Sequence, residues 1–208
     1  MLAASIIYPV DQSEWASPMV VQPKKHDPKK LRICVDFIWL NRATLIDPFL
    51  TPFIDKIFNE VAGHECYSFT DRFFGYNQVC IAEENQHKIT FVCEFGYFSY
   101  RFTPFGLKNA PATFSRIVVK AFQEYMYKLM GFYFDDWTIY SLLKEHTKWL
   151  RMMLERCRQI QLSLNLKKCI SLTPIGILLG HIVCKDGIKV DMEKININID
   201  LKPPTNPK

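Results

Sequence analysis

None of the chain's cysteines forms a Cys-x-x-Cys pair, and no histidine joins a cysteine at zinc-ligand spacing. That argues against a structural zinc as the organising element. The seven cysteines (Cys34, Cys66, Cys80, Cys93, Cys157, Cys169 and Cys184) are scattered and odd in number. With no signal peptide ahead of them, they read as reduced core thiols of an intracellular protein, not as a disulfide framework. No apolar run approaches the roughly 20 residues that a membrane-spanning helix needs. Internal repeats and low-complexity tracts are missing too, which argues against a solenoid or a disordered scaffold.

What remains is ordinary globular composition. The chain has 208 residues, 49% of them hydrophobic, which is enough apolar mass for one large domain or one domain with subdomains. The net charge of +5 fits an anionic partner without identifying one. Basic residues concentrate at Lys24, Lys25, Lys29, Lys30 and Arg32, either a solvated hairpin face or a phosphate-binding cluster.

Alternating and helical patterns divide the chain. Val20-Val21 and Leu31 to Phe37 predict a hairpin whose loop is the lysine cluster, with Ile33, Val35 and Phe37 on one face. Phe53 to Val61 has helical spacing and stops at Ala62-Gly63. Cys66 to Thr70 predicts a strand running directly into Asp71, and further strands are expected at Tyr76 to Ile81, Lys88 to Cys93 and Tyr97 to Phe102. A helix from Pro111 to about Met130 is expected, capped by Asn109 and stopped by Gly131. A second helix spans about Glu145 to Ile160, and Leu162 to Leu166 alternates like a strand. The apolar run Ile177 to Val183 then leads to a hairpin signal at Asp186-Gly187, Asp191 caps a short last helix, and Pro203-Pro204 ends the pattern. The order predicts an α+β fold with helices on one face of an antiparallel sheet.

Asp135 and Asp136 interrupt strand-like sequence on both sides, so they belong at the tip of a tight hairpin. Two adjacent like charges call for a positive partner, and a divalent cation is the strongest one. A strand ending in Asp71 can lie beside that hairpin. Three carboxylates would then converge where two Mg²⁺ ions, about 3.5–4 Å apart, serve in-line phosphoryl transfer. Their hard oxygen donors suit Mg²⁺, and basic residues near the N-terminus would clamp a triphosphate.

The chain also resembles a family in ordered blocks. They are Ser13-Glu14-Trp15-Ala16-Ser17-Pro18, Leu31 to Phe37 with Leu40-Asn41, and Asp71 followed by Gly75-Tyr76-Asn77-Gln78. Then come Pro104 to Phe114, Tyr133-Phe134-Asp135-Asp136, Leu179-Gly180-His181 and Asp186-Gly187-Ile188. Together they resemble the reverse transcriptase domain of gypsy-type long-terminal-repeat retrotransposon polyproteins, most like plant elements.

The resemblance implies a right-hand polymerase fold. Fingers would span residues 1–46 and 79–109, the palm 47–78 and 110–190, and the start of a thumb or connection 191–208, with the thumb largely missing. It implies RNA-directed DNA polymerase activity with Asp71, Asp135 and Asp136 as catalytic, metal-binding carboxylates for two Mg²⁺ ions, Mn²⁺ being a substitute. Lys25 (or its neighbour Lys24), Arg32, Tyr76, Phe105 and Gly106 would meet the nucleotide, with Arg72, Phe73 and Phe74 turning their backbone amides to its triphosphate. Lys108, Tyr133, Phe134, Leu179, Gly180 and His181 would meet template and primer, and Lys168 would act as a general acid.

Implied partners are an RNA or DNA template, a DNA or RNA primer and deoxynucleoside triphosphates. No membrane is expected, and a parent polyprotein would carry RNase H and integrase segments. The implied setting is intracellular, in a cytoplasmic virus-like particle or the nucleus. Arg72-Phe73-Phe74, Ile38 and Phe134 depart from the family pattern. The alternative is therefore a catalytically decayed fragment that keeps the fold and weak nucleic-acid binding.

Overall fold

The computed structural model describes residues 1–24, 27–49, 53–71, 75–126, 128–133 and 136–201. In chain order its elements begin with β1 (Ile7–Val10), β2 (Ser17–Lys24), β3 (Asp27–Val35), α1 (Ile38–Ala43), α2 (Ile54–Val61) and β4 (Cys66–Thr70). There follow α3 (Glu83–Gln86), β5 (Thr90–Cys93), β6 (Gly96–Tyr100), α4 (Ala110–Phe122), β7 (Met130–Tyr133) and β8 (Asp136–Ser141). The remainder is α5 (Leu143–Gln159), β9 (Ile170–Thr173), β10 (Ile175–Leu178), β11 (His181–Cys184), β12 (Gly187–Val190) and α6 (Met192–Asp200). The chain divides into two compact units, Met1–Thr51 with Phe74–Lys120 and Pro52–Phe73 with Ala121–Lys208.

The first unit holds a five-stranded sheet in the order β1-β6-β5-β2-β3. All pairs are antiparallel except β2 and β5. Within the N-terminal segment, Ile7–Val10 forms edge strand β1, where Pro9 removes no needed ladder donor. Phe37, Ile89, Phe91 and Tyr100 make the core of this unit. The expected β2–β3 hairpin is present, but Ile33 is 67% exposed and not on an inner face. Among the described residues of its unit nothing buries Val21, Leu31 or Ile33 on that ribbon, so alternation there does not translate into burial. The strand expected at Tyr76 to Ile81 is instead a 3₁₀ turn at Gly75–Gln78. Val79 N–H donates to Tyr76 O inside that turn, and only Cys80 bridges to Phe102.

The second unit has a four-stranded sheet, β7-β8-β4-β9, and a three-stranded sheet, β10-β11-β12, antiparallel throughout. Helices were expected on one face of the larger sheet. Here α5 covers one face, while α2 and β10 cover the other. The cause is β8, buried at every position from Trp137 to Ser141, which needs cover on both sides. Ile57, Phe58, Val61, Tyr67, Tyr140, Leu178 and Val183 form the main apolar cluster.

Two boundaries differ from the sequence reading. Helix α4 ends at Phe122, not near Met130, and Gly131 lies inside β7. A Cβ on Gly131 would sit 2.9 Å from Val61 Cγ2, so close packing against α2 explains that glycine better than a helix stop. Phe114, Val118 and Phe122 of the expected stripe are buried, whereas Ile117 is 38% exposed. No strand covers Leu162 to Leu166; β9 begins at Ile170, after a turn. Asp191 does precede α6, with its carbonyl accepting from Ile195 N–H. Pro203 and Pro204 lie outside the described residues.

Among the described residues no helix is long and apolar enough to cross a membrane. The cysteines are free, but Cys34 and Cys80 are exposed, so the expectation of core thiols holds only for Cys66, Cys157 and Cys184. Burial pushes the Cys157 thiol up to about 12.

Candidate active site

Strands β4 and β8 pair from Cys66↔Ser141 to Thr70↔Trp137. One further step along that register sets Asp71 opposite Asp136, the first residue of β8. Both carboxylates thus leave adjacent antiparallel strands at the same end of the sheet. Asp136 is exposed and the Asp71 side chain is 38% exposed. Tyr133 pairs with Asp136, leaving a two-residue loop. Its occupants, Phe134 and Asp135, lie outside the described residues.

The surroundings of Asp71 come from the turn before β9. Asn165 N–H donates to Asp71 O at 2.8 Å, and Asn165 O accepts from the N–H groups of Lys168 and Cys169. That turn carries Lys168, whose Nζ stands 3.3 Å from Asp71 Oδ2. Cys169 Sγ lies 3.8 Å from Asp71 O. Two hard carboxylates at one sheet end are a donor set suited to Mg²⁺. Among the described residues no group of three His, Cys, Asp or Glu side chains assembles a metal site, and the third expected ligand, Asp135, is not among them.

The turn expected to meet the primer lies in the same unit. Leu178 pairs with His181, so Leu179 (φ 49°) and Gly180 (φ 80°) form a two-residue hairpin turn with both φ positive. Leucine at such a φ is uncommon and costly. Its side chain packs on the apolar cluster, as does Tyr133, which ties the turn and β7 to one support. The exposed His181 ring meets Phe58 edge-on at 4.9 Å.

The first unit holds Arg32, Tyr76, Phe105 and Gly106 of the residues expected to meet the nucleotide. Tyr76 meets Phe105 edge-on at 5.3 Å and Phe114 at 6.0 Å. Phe105 is 57% exposed, and Gly106 has φ +97°, a conformation that favours glycine. Asn41 clamps this loop: its Nδ2 donates to Gly106 O, and its Oδ1 accepts from Lys108 N–H. The Lys108 ammonium donates to the carbonyls of Asn41 and Thr44 at the end of α1. Arg32 is exposed on the ribbon. Lys25, Arg72, Phe73 and Phe74 lie outside the described residues, and nothing of the Lys24 side chain is described. A cavity of about 590 Å³ in this unit is lined by Lys108 and by no other expected site residue.

Asn41 and Asn165 were not singled out for a role from sequence. Each acts on backbone groups distant in sequence, which no local pattern announces. His146 was missed as well. It is fully buried in α5, between Ser68 Oγ at 2.7 Å and Ser141 Oγ at 2.8 Å. Burial holds it below the usual imidazole range.

Residues 22–196 match the family described as reverse transcriptase (RNA-dependent DNA polymerase). The retrovirus-related Pol polyprotein from transposon 297 of Drosophila melanogaster is 33% identical over 200 residues, covering 94% of this chain and 19% of that protein. The corresponding polyprotein from transposon gypsy is 30% identical over 201 residues, covering 94% and 19%. An RNA-directed DNA polymerase homolog of Oenothera berteroana is 35% identical over 129 residues, covering 60% of this chain and 91% of that protein. The chain therefore spans about a fifth of the length of the matched polyproteins.

Among solved structures, a foamy viral protease-reverse transcriptase in complex with double-stranded DNA superposes with a TM-score of 0.87 at 20% identity. The match covers 98% of this chain and 35% of that one. The same kind of protein with an RNA/DNA hybrid gives 0.84 at 20% identity, covering 98% and 27%. Those likenesses establish the fold.

Proposed function

The chain belongs to the reverse transcriptase (RNA-dependent DNA polymerase) family, and from that premise we propose that it adds deoxynucleotides to a primer 3′-hydroxyl under the direction of a template. The observation that carries the reading is the pair Asp71 and Asp136 at one end of β4 and β8, with Lys168 on Asp71. Asp71, Asp135 and Asp136 are the residues that would hold the metal. Two Mg²⁺ ions, or Mn²⁺ in their place, would supply activation of the attacking hydroxyl and neutralisation of the leaving pyrophosphate.

The chain's own groups do the rest. Lys168 keeps an ammonium beside Asp71, from which a proton can go to departing pyrophosphate. Lys25 and Arg32 grip the triphosphate, and Arg72, Phe73 and Phe74 belong to the same nucleotide-binding set. Tyr76, held by Phe105 and Phe114, packs under the sugar and disfavours a 2′-hydroxyl, with Gly106 completing that wall. Lys108, Tyr133, Phe134, Leu179, Gly180 and His181 contact template and primer. Residues 1–46 and 79–109 serve as fingers, 47–78 and 110–190 as palm. The solved complexes with double-stranded DNA and an RNA/DNA hybrid support nucleic acid as the partner class. The Pol polyprotein relatives fit a longer parent element, to which the proposal assigns RNase H and integrase segments and an intracellular setting.

Primer extension on an RNA template with Mg²⁺ and deoxynucleotides tests this. Extension by the intact chain that disappears in Asp135→Asn is the expected result. Duplex binding without any extension would make the chain a non-catalytic remnant.

A further inference from the structure

The hydrogen bonds around His146 have a single consistent direction. Ser141 Oγ–H donates to Leu142 O at 3.1 Å, so that oxygen can only accept from the imidazole, and Nδ1 carries the proton. The neutral ring then presents a bare Nε2, which accepts from Ser68 Oγ–H. Ser68 Oγ in turn accepts from Leu172 N–H at 3.2 Å. The relay runs Leu172 N–H to Ser68, Ser68 to His146, His146 to Ser141 and Ser141 to Leu142 O. Every hydroxyl in it is used once as donor and once as acceptor.

Leu172 is no ordinary partner. Strand β9 pairs Thr173 with Tyr67 and Ile170 with Phe69, so Ser171 and Leu172 both oppose Ser68. That is a β-bulge, and Leu172 adopts φ 56°, where a non-glycine residue is strained. The bulge decides how far β9 has slipped along β4. Immediately upstream, the same segment sets Asn165 N–H on Asp71 O and Lys168 Nζ near Asp71 Oδ2.

We infer that His146 is a positioning residue: through Ser68 it holds the β9 bulge in register and so sets the turn bearing Asn165 and Lys168 against Asp71. It touches neither substrate nor metal. The effect on turnover rests on the polymerase reading; the effect on the bulge does not.

Two variants of similar size separate this from space filling. The carboxamide of His146→Gln reaches the place of Nε2 and can accept from Ser68, whereas that of His146→Asn reaches only the place of Nδ1. Amide hydrogen exchange at Leu172 and Asn165 is the first measurement. His146→Asn should lower protection at both by about tenfold, the scale of one buried hydrogen bond, and His146→Gln should keep it. If His146→Asn does not fold, His146→Leu, which fills the space without any acceptor for Ser68, takes its place, with Ser68→Ala as the reference for complete loss of the Leu172 bond. In primer extension, His146→Asn should lower kcat by roughly tenfold and leave the nucleotide KM within about twofold, as outer partners of a site do. That loss should largely vanish in a Lys168→Ala background.

Equal protection in both His146 variants, or an equal loss in both, overturns the inference. Loss of kcat undiminished by Lys168→Ala overturns the route through the turn. If the intact chain extends nothing, the polymerase reading fails and the exchange measurements still decide the role of His146.

Discussion

The β2–β3 ribbon and the β4–β8 pair use the same antiparallel hydrogen bonding and end in opposite environments. In the ribbon, Val21, Leu31 and Ile33 are 46%, 63% and 67% exposed. In the pair, β8 is buried from Trp137 to Ser141, and β4 keeps a hydrogen-bonded serine at its centre. Pairing is a local property of two segments and a short turn. Burial belongs to whatever else packs on them: α5 on one face of β4–β8, α2 and β10 on the other. The carboxylates sit at the end of the pair that is held on both faces, which suits groups that must keep a fixed separation.

The largest expected contrast lies in turnover. Asp71→Asn should reduce primer extension by more than about 100-fold, because even groups behind a metal ligand are worth roughly 10–100-fold. Rates measured with the folded variant check this. Stability should distinguish the regions next. A Cβ on Gly176 would run into the Phe69 ring, where β10 meets β4. Gly176→Ala should therefore cost about 1–3 kcal/mol by overpacking, read from denaturant unfolding.

A smaller effect follows from His146. Its folded-state affinity for protons is lowered by burial, so the unfolded chain binds the proton more readily. Stability is thus full above about pH 6.5, the unfolded imidazole value, and falls as pH drops through the folded value. Melting temperatures between about pH 7.5 and 5.5 should show that slope, and His146→Gln should flatten it. Asp47, Glu65 and Asp186, each lowered chiefly by a hydrogen bond from Arg116, Lys185 or Lys189, lose their contribution only in stronger acid. Least of all, Ile33→Ala on the ribbon should move stability by no more than about 0.5 kcal/mol. A larger change would mean that the ribbon is buried after all.

Much of this was legible in the chain because it depends on neighbours in sequence. Asp71 follows a five-residue strand, Asp136 opens another, and Asp186-Gly187 marks a turn. Errors arose where distant packing overrode local pattern. Gly131 read as a helix stop and is a close approach to Val61. Tyr76 read as strand and is a 3₁₀ turn whose ring meets Phe105 and Phe114. Leu162 to Leu166 alternates, yet the strand lies beyond the turn that holds Asp71.

By itself the amino-acid order determined the strands that carry the carboxylates, the chemistry those groups favour and the family. Apolar periodicity, turn residues and side-chain charge are written in the chain one neighbour at a time. Only the tertiary structure decided which residues hold those carboxylates in place. His146 is 78 residues from Ser68, and Lys168 is 97 from Asp71. Hydrogen bonds across such separations depend on where sheets and helices stack, and no local pattern encodes that.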